Sequence, residues 1–269
     1  MDVVAPQRLE VRRDGRTLRV RARVPRDLAF FDGHFPGHPV LPGFVQLHWV
    51  AEWARQELGE APEVASIEAL KFREPLRPGD EFALEVEADD GLRFRFLRDG
   101  ESVSEGRLRG GSAKGEAPAA PATDLDTSGA DLPLRLPQQG RMRLVESVLR
   151  HADGVTLCRA RLAPDAPLVG EGRAPVWLAL ELLAQGMAAQ GGIELAASPS
   201  LRAFVVGARR VALRARALPV GEPLWVRARH VRGETGFVVC DVAVGAGRQA
   251  ALAHGRLTAF VDPDGSATS

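Results

Sequence analysis

The chain has 269 residues, with 35 Lys and Arg against 35 Asp and Glu, so its formal charge is zero. That balance gives no global field for nucleic acid or an anionic membrane. Two cysteines are too few for a disulfide framework, and the length suffices for two hydrophobic cores.

In chain order, Met1–Pro6 lacks the basic start and apolar core of a signal peptide, which makes a reducing cytoplasm the expected compartment. Leu18, Val20, Ala22 and Val24 alternate with arginines and predict a half-buried strand over 18–24. The segment Phe30–Phe44 then reads FFDGHFPGHPVLPGF. His34 sits there among Gly33, Pro36, Gly37 and Pro39, a mixture that excludes regular helix or sheet. A histidine held in a stiff loop is a candidate for acid–base work, because imidazole titrates near neutrality. The alternative is a Pro/Gly turn with an incidental surface histidine. A mostly apolar helix follows over 43–58, closed by Gly59, and strands are expected near 64–74, 81–88, 92–98 and 102–109.

From 110 to 130 the sequence turns Gly/Ala/Ser/Pro/Asp-rich and loses hydrophobic periodicity, which reads as a flexible linker between a domain of residues 1–109 and one of residues 131–264. Beyond it the same order recurs. A strand over 155–163 precedes a helix over 175–190 that ends in Gly191-Gly192. Strands follow near 203–214, 223–231, 236–244 and 250–261. Pro42-Gly43-Phe44 and Pro175-Val176-Trp177 open the two helices at an offset of 133, and Pro78-Gly79-Asp80 and Pro219-Val220-Gly221 make comparable turns. A repeat of this size means two copies of one α+β domain, each pairing one long helix with antiparallel strands.

Glu181 is the only ionisable side chain between Ala174 and Ile193, among Val176, Trp177, Leu178, Leu180, Leu182, Leu183 and Met187. So apolar a setting disfavours the charged carboxylate and suits a general acid. Gln185, four residues on, shares its helical face and is placed to orient it. A structural carboxyl with a buried partner is the plainer reading. A membrane span is opposed by the Glu, two Gln and three Gly of the stretch.

His34-Phe35-Pro36-Gly37, followed by Pro39-Val40-Leu41-Pro42-Gly43, resembles the signature of the β-hydroxyacyl-ACP dehydratases of fatty acid and polyketide synthesis, which have the hotdog fold. Leu70–Asp80 looks like that family's strand and turn after the helix, so the resemblance covers about residues 18–108. One departure is plain: where the family carries Glu or Asp on the helix, this chain has His48. The second half resembles the dehydratases paired in aryl-polyene pathways through Pro175-x-Trp177-x-x-x-Glu181-x-x-Ala184-Gln185. Where such proteins often have Pro-His, this chain has Pro137-Gln138, and its stretch Pro167–Ala174 has no histidine loop.

The halves are therefore complementary, one with the histidine and the other with the acid. The resemblance implies a double hotdog, a pseudo-dimer in which each site takes His from one unit and a carboxylate from the other. One working site, His34 with Glu181, would result, and the opposite position around His48 would be dead. The implied reaction removes water from a 3-hydroxyacyl thioester carried on the phosphopantetheine of an acyl carrier protein. His34 takes the C2 proton and Glu181 protonates the leaving hydroxyl. Gly43, at a helix N-terminus, would offer an oxyanion N–H. Phe35, Gly43, His48 and Gln185 are the expected substrate contacts. No metal or organic cofactor is required, and a metal site at His34, His38 and His48 is opposed by the loop that breaks their spacing.

Arg209-Arg210, or Lys71 with Arg73, could receive an acidic carrier, although an ordinary solvated surface explains them equally well. Pseudo-dimers of this kind leave room for further oligomerisation. A hotdog thioesterase and a non-catalytic acyl-binding partner of another dehydratase are the rival readings. Enoyl product, free thiol or unchanged bound substrate would separate the three.

Overall fold

The computed structural model describes residues 2–60, 63–123, 125, 132–194, 202–234 and 236–262. Their strands are β1 (Gln7–Asp14), β2 (Thr17–Arg23), β3 (Ser66–Phe72), β4 (Glu81–Ala88), β5 (Leu92–Arg98) and β6 (Glu101–Arg109) in the first half. The second half supplies β7 (Val145–Ala152), β8 (Val155–Ala160), β9 (Arg173–Pro175), β10 (Arg202–Leu213), β11 (Ala217–Pro219), β12 (Leu224–Glu234), β13 (Phe237–Ala246) and β14 (Ala253–Asp262). The long helices are α1 (Gly43–Trp53) and α2 (Ala179–Glu194).

Twelve of these strands form one antiparallel sheet in the order β1-β2-β4-β5-β6-β3-β10-β14-β13-β12-β8-β7, and β9 with β11 make a separate ribbon. Read inward from its own edge, each half has the same order. They meet where β3 pairs with β10, Ser66 opposite Ala212, Ile67 opposite Val211 and Lys71 opposite Gly207. The join removes two sheet edges that would otherwise present free backbone groups. The fold is the expected double hotdog, and α1 packs against α2, which also rests on β12, β13 and β8.

The alternation in β2 explains which face lies inward. Leu18, Val20 and Ala22 are fully buried, while Arg19, Arg21 and Arg23 point out, where Arg19 and Arg23 meet Glu85 and Glu81. Phe30, Phe44, Phe94 and Phe96 are also fully buried. Each such side chain contributes about 1.5–3 kcal/mol relative to exposure, less the ordering cost.

Several boundaries differ from the sequence reading. β1 and β7 lie at the two outer edges of the sheet, and the short β9 and β11 stand apart from it; none of these four was anticipated. β1 has only Glu10 and Val11 sheltered, and in β7 shifts of register between Val145 and Ser147 and between Val148 and Arg150 interrupt the period-two pattern. The first helix does end at Gly59, which adopts φ 72°, but its last turn widens into a π-helix over Ala54–Leu58. The second begins as a 3-10 turn at Val176–Leu178 and runs on to Glu194, through Gly191 and Gly192. Gly192 is a packing glycine: a Cβ there would lie 3.2 Å from the Cβ of Arg135.

The segment expected as a flexible connection lies partly outside the described residues. Where described, it touches the outer face of the second half. The Pro118 carbonyl accepts from the Ala251 N–H at 2.8 Å, and Leu125 joins Leu149, Leu157, Trp225 and Ala243 in a small apolar cluster. Among the described residues, no helix is long and apolar enough to cross a membrane.

Candidate active site

His34 follows a short 3-10 turn, Ala29–Phe31, and precedes the residues that lead into α1. Its loop is closed on itself. The Val40 N–H donates to the His34 carbonyl at 3.0 Å, and the His34 ring reaches back to the Val40 carbonyl through Nδ1 at 2.8 Å. A carbonyl oxygen only accepts, so Nδ1 carries the hydrogen and the lone pair lies on Nε2. Phe35 stacks on the imidazole, with centroids 4.1 Å apart and planes 25° apart. Phe35 also makes an edge-type contact with Phe204 of β10 at 6.0 Å. The histidine loop of the first half is thus braced by the second.

A second brace is made by backbone. The Gln139 N–H donates to the Gly33 carbonyl at 3.0 Å, and a Cβ at Gly33, whose φ is 94°, would collide with the Gln139 carbonyl oxygen. Gly33 therefore serves two needs, a left-handed backbone and a close crossing of the two halves.

Glu181 lies on the first turn of α2, 5% exposed. Its Oε1 accepts two amide N–H groups, from Gln138 at 2.8 Å and from Gln185 at 2.9 Å. Its Oε2 faces His34 Nε2 at 3.9 Å. Oε1 is occupied as an acceptor, so when the carboxyl carries a proton that proton belongs on Oε2, the atom aimed at the imidazole. A base with its lone pair outward and an acid with its proton outward face one another inside a dry site. The arrangement suits removal of a proton from one carbon of a substrate and delivery of another to a leaving group on the next.

The other candidates are placed as follows. Gln185 is fully buried and spent on protein: besides Glu181 it donates to the Met142 carbonyl at 2.7 Å and accepts from the N–H groups of Leu144 at 2.8 Å and Val145 at 3.1 Å. With every hydrogen and both lone pairs engaged, it has none left for a substrate; it holds Glu181 and the start of β7 in place. Gly43 opens α1, where backbone N–H groups lack intrahelical acceptors. A Cβ at Gly43 would overlap the Phe72 ring of β3. The His48 ring lies 6.0 Å from that of Trp177 in the 3-10 turn before α2. Both His48 Nδ1 and Trp177 Nε1 are buried without a hydrogen-bond partner, and burial lowers the His48 pKa, with Glu52 opposing.

Gln138, read in the sequence only as a departure from Pro-His, is the residue touching Glu181 that the reading did not place beside it. Its position directly after Pro137, where a family motif was expected, was the available signal. Among the described residues, no group of three or more His, Cys, Asp or Glu side chains could hold a metal ion. Cys158 and Cys240 are free and buried, and burial pushes both thiols up to about 12, so neither presents a thiolate.

Comparison with known proteins agrees with the two-part organisation. Residues 10–107 match the ApeI dehydratase family and residues 132–268 the ApeP dehydratase family. Over 86 residues the chain is 33% identical to the 3-hydroxyacyl-[acyl-carrier-protein] dehydratase FabZ of Fusobacterium nucleatum, covering 30% of this chain and 61% of that protein. Over 104 residues it is 32% identical to FabZ of Klebsiella pneumoniae, covering 35% of this chain and 69% of the relative. The first three curated relatives are thus spanned over only 55–61% of their length. The dehydratase domain of RzxB from Pseudomonas fluorescens superposes with a TM-score of 0.70 at 19% identity, over 96% of this chain and 99% of that one, a likeness of fold. This chain belongs to the ApeI-like and ApeP-like dehydratases, one of each kind in tandem.

Proposed function

We propose that the chain removes water from 3-hydroxyacyl thioesters to give trans-2-enoyl thioesters, with the acyl group delivered by an acyl carrier protein in fatty acid or polyene/polyketide-type synthesis. The single observation that carries this reading is the His34–Glu181 pair, 3.9 Å apart and almost without solvent. We take residues 1–109 and 131–264 as the two domains that contribute one member each, and the cytoplasm as the compartment.

His34 Nε2 takes the proton from C2. The electron pair of that C–H bond becomes the C2=C3 double bond as the C3–O bond breaks, and the Glu181 Oε2 proton joins the departing hydroxyl to make water. The Val40 carbonyl, accepting from Nδ1–H, stabilises the imidazolium that forms. Imidazolium and carboxylate then face each other, and return of the proton from Nε2 to Oε2 restores both groups without exchange with bulk solvent. The Gly43 N–H at the positive end of α1 is the donor assigned to the thioester oxygen. Phe35 and Phe204 form the apolar wall over the imidazole.

The test is incubation of the full chain with a 3-hydroxyacyl carrier-protein thioester. Enoyl product with the thioester intact supports the reading. Release of free thiol would replace it with hydrolysis, and unchanged bound substrate with an acyl-binding role.

A further inference from the structure

The side-chain oxygen of Gln138 is buried without a hydrogen-bond partner, although the nitrogen of the same amide is committed to Glu181. Gln138 is only 5% exposed, so bulk solvent does not satisfy that oxygen, and a buried acceptor left unpaired is costly. The amide cannot be turned round to relieve it. Rotation would set the Gln138 oxygen against Glu181 Oε1, two acceptors facing, and leave the nitrogen unpaired instead. The residue is also held from behind, since Gln139 beside it bonds Gly33 of the histidine loop and accepts from the Met142 N–H at 3.1 Å. An unused acceptor is thus fixed in the same planar group that positions the acid.

We propose that Gln138 Oε1 accepts the hydroxyl hydrogen of a 3-hydroxyacyl substrate, turning a lone pair of the C3 oxygen toward Glu181 Oε2. The proposal rests on the dehydration reading and adds a substrate contact to it. A hydroxyl has one hydrogen to place and must keep a lone pair for the incoming proton. Gln138 takes the first while its nitrogen holds the group that meets the second. As Glu181 transfers its proton, positive charge grows on the C3 oxygen and its original hydrogen becomes a better donor. The bond to Gln138 therefore strengthens toward the transition state, where it accelerates the step. The balance is unchanged: the C2 proton goes to His34, the C3–O pair leaves with oxygen, and the water formed keeps its original O–H against Gln138. The same contact selects 3-hydroxyacyl over 3-oxoacyl thioesters, because a ketone has no hydrogen to give.

The experiment compares a 3-hydroxyacyl thioester with its 3-fluoro analogue in the full chain and in Gln138→Met. Fluorine can receive a hydrogen bond from Glu181 but has none to donate to Gln138. The substitution is expected to lower kcat/KM for the hydroxy substrate about tenfold more than for the fluoro one, which is read as a Ki where its turnover is slow. Equal losses on both substrates would show that Gln138 acts only by holding Glu181, and no loss on either would remove it from the site; each overturns the proposal. Gln138→Asn keeps the amide but shortens its reach. It is expected to shift the ratio in the same direction, and it decides the matter if Gln138→Met fails to melt cooperatively. A wild-type chain that forms no enoyl product would sink the dehydration reading and this contact with it. An active wild type with an unchanged ratio would sink the contact alone.

Discussion

The imidazole Nε2 of His34 and the carboxyl Oε2 of Glu181 stand 3.9 Å apart, although one belongs to a loop of the first half and the other to the helix of the second. If they work as one acid–base unit, His34→Ala and Glu181→Ala each lower turnover of a 3-hydroxyacyl thioester by about a hundredfold or more. The double variant is expected to be little slower than the worse single one, because either loss already disables the unit. Steady-state rates of the three variants check this, and a near-wild-type His34→Ala would refute the pairing.

His48 is expected to be dispensable for the chemistry, since its ring meets that of Trp177 and its Nδ1 has no hydrogen-bond partner. His48→Gln is expected to retain most of the activity; a loss matching that of Glu181→Ala would give His48 a catalytic role.

The same residue makes a prediction about acid stability. Burial lowers its pKa in the folded chain, so below the usual histidine value of about 6.5 the unfolded state binds a proton that the folded state refuses. Stability from this group is complete above that pH and is lost as pH falls toward the lowered folded value. His48→Gln removes that contribution. Denaturant midpoints at pH 7.5 and pH 5.0 are expected to differ less in the variant than in the wild type, and an equal difference would rule out His48 as the source.

Gly33→Ala is expected to damage activity and stability together. The new Cβ would be forced into the Gln139 carbonyl at a φ of 94°. A penalty of about 1–3 kcal/mol is expected, the range for backbone strain at such a site. Thermal melts with parallel assays check it; a variant with wild-type melting would mean that the two halves do not cross closely there.

The two halves expressed separately are expected to be insoluble or inactive, because each loses the β3–β10 pairing and exposes the helix face that packs on its counterpart. Co-expression without residues 110–130 is expected to recover activity only in part, since the segment supplies effective concentration and its Pro118 and Leu125 also contact the second half. A soluble first half with full activity would show that the site is not shared.

The sequence by itself determined the two long helices with the inner strands around them, the repeat at an offset of 133, and two candidate side chains for acid–base work. All three are local. Alternation such as Leu18, Val20 and Ala22 writes a strand wherever it occurs, and a lone Glu181 in an apolar helix is conspicuous without knowing what surrounds it. The limits lay where a residue's meaning depends on a distant partner. Edge strand β1 carries little alternation because it has little to bury, β7 loses its alternation where its register shifts against β8, and Gly192 looked like a stop until Arg135 packed against it. Gln185 and Gln138 are both neutral amides on paper. Only the tertiary structure decided that Gln185 has every hydrogen-bonding position filled by protein, while Gln138 retains a buried, unpaired oxygen beside the acid. Hydrogen-bond satisfaction is set by which atoms meet when sheets and helices close over them, and adjacency across 147 positions in sequence is fixed by packing, not by local pattern.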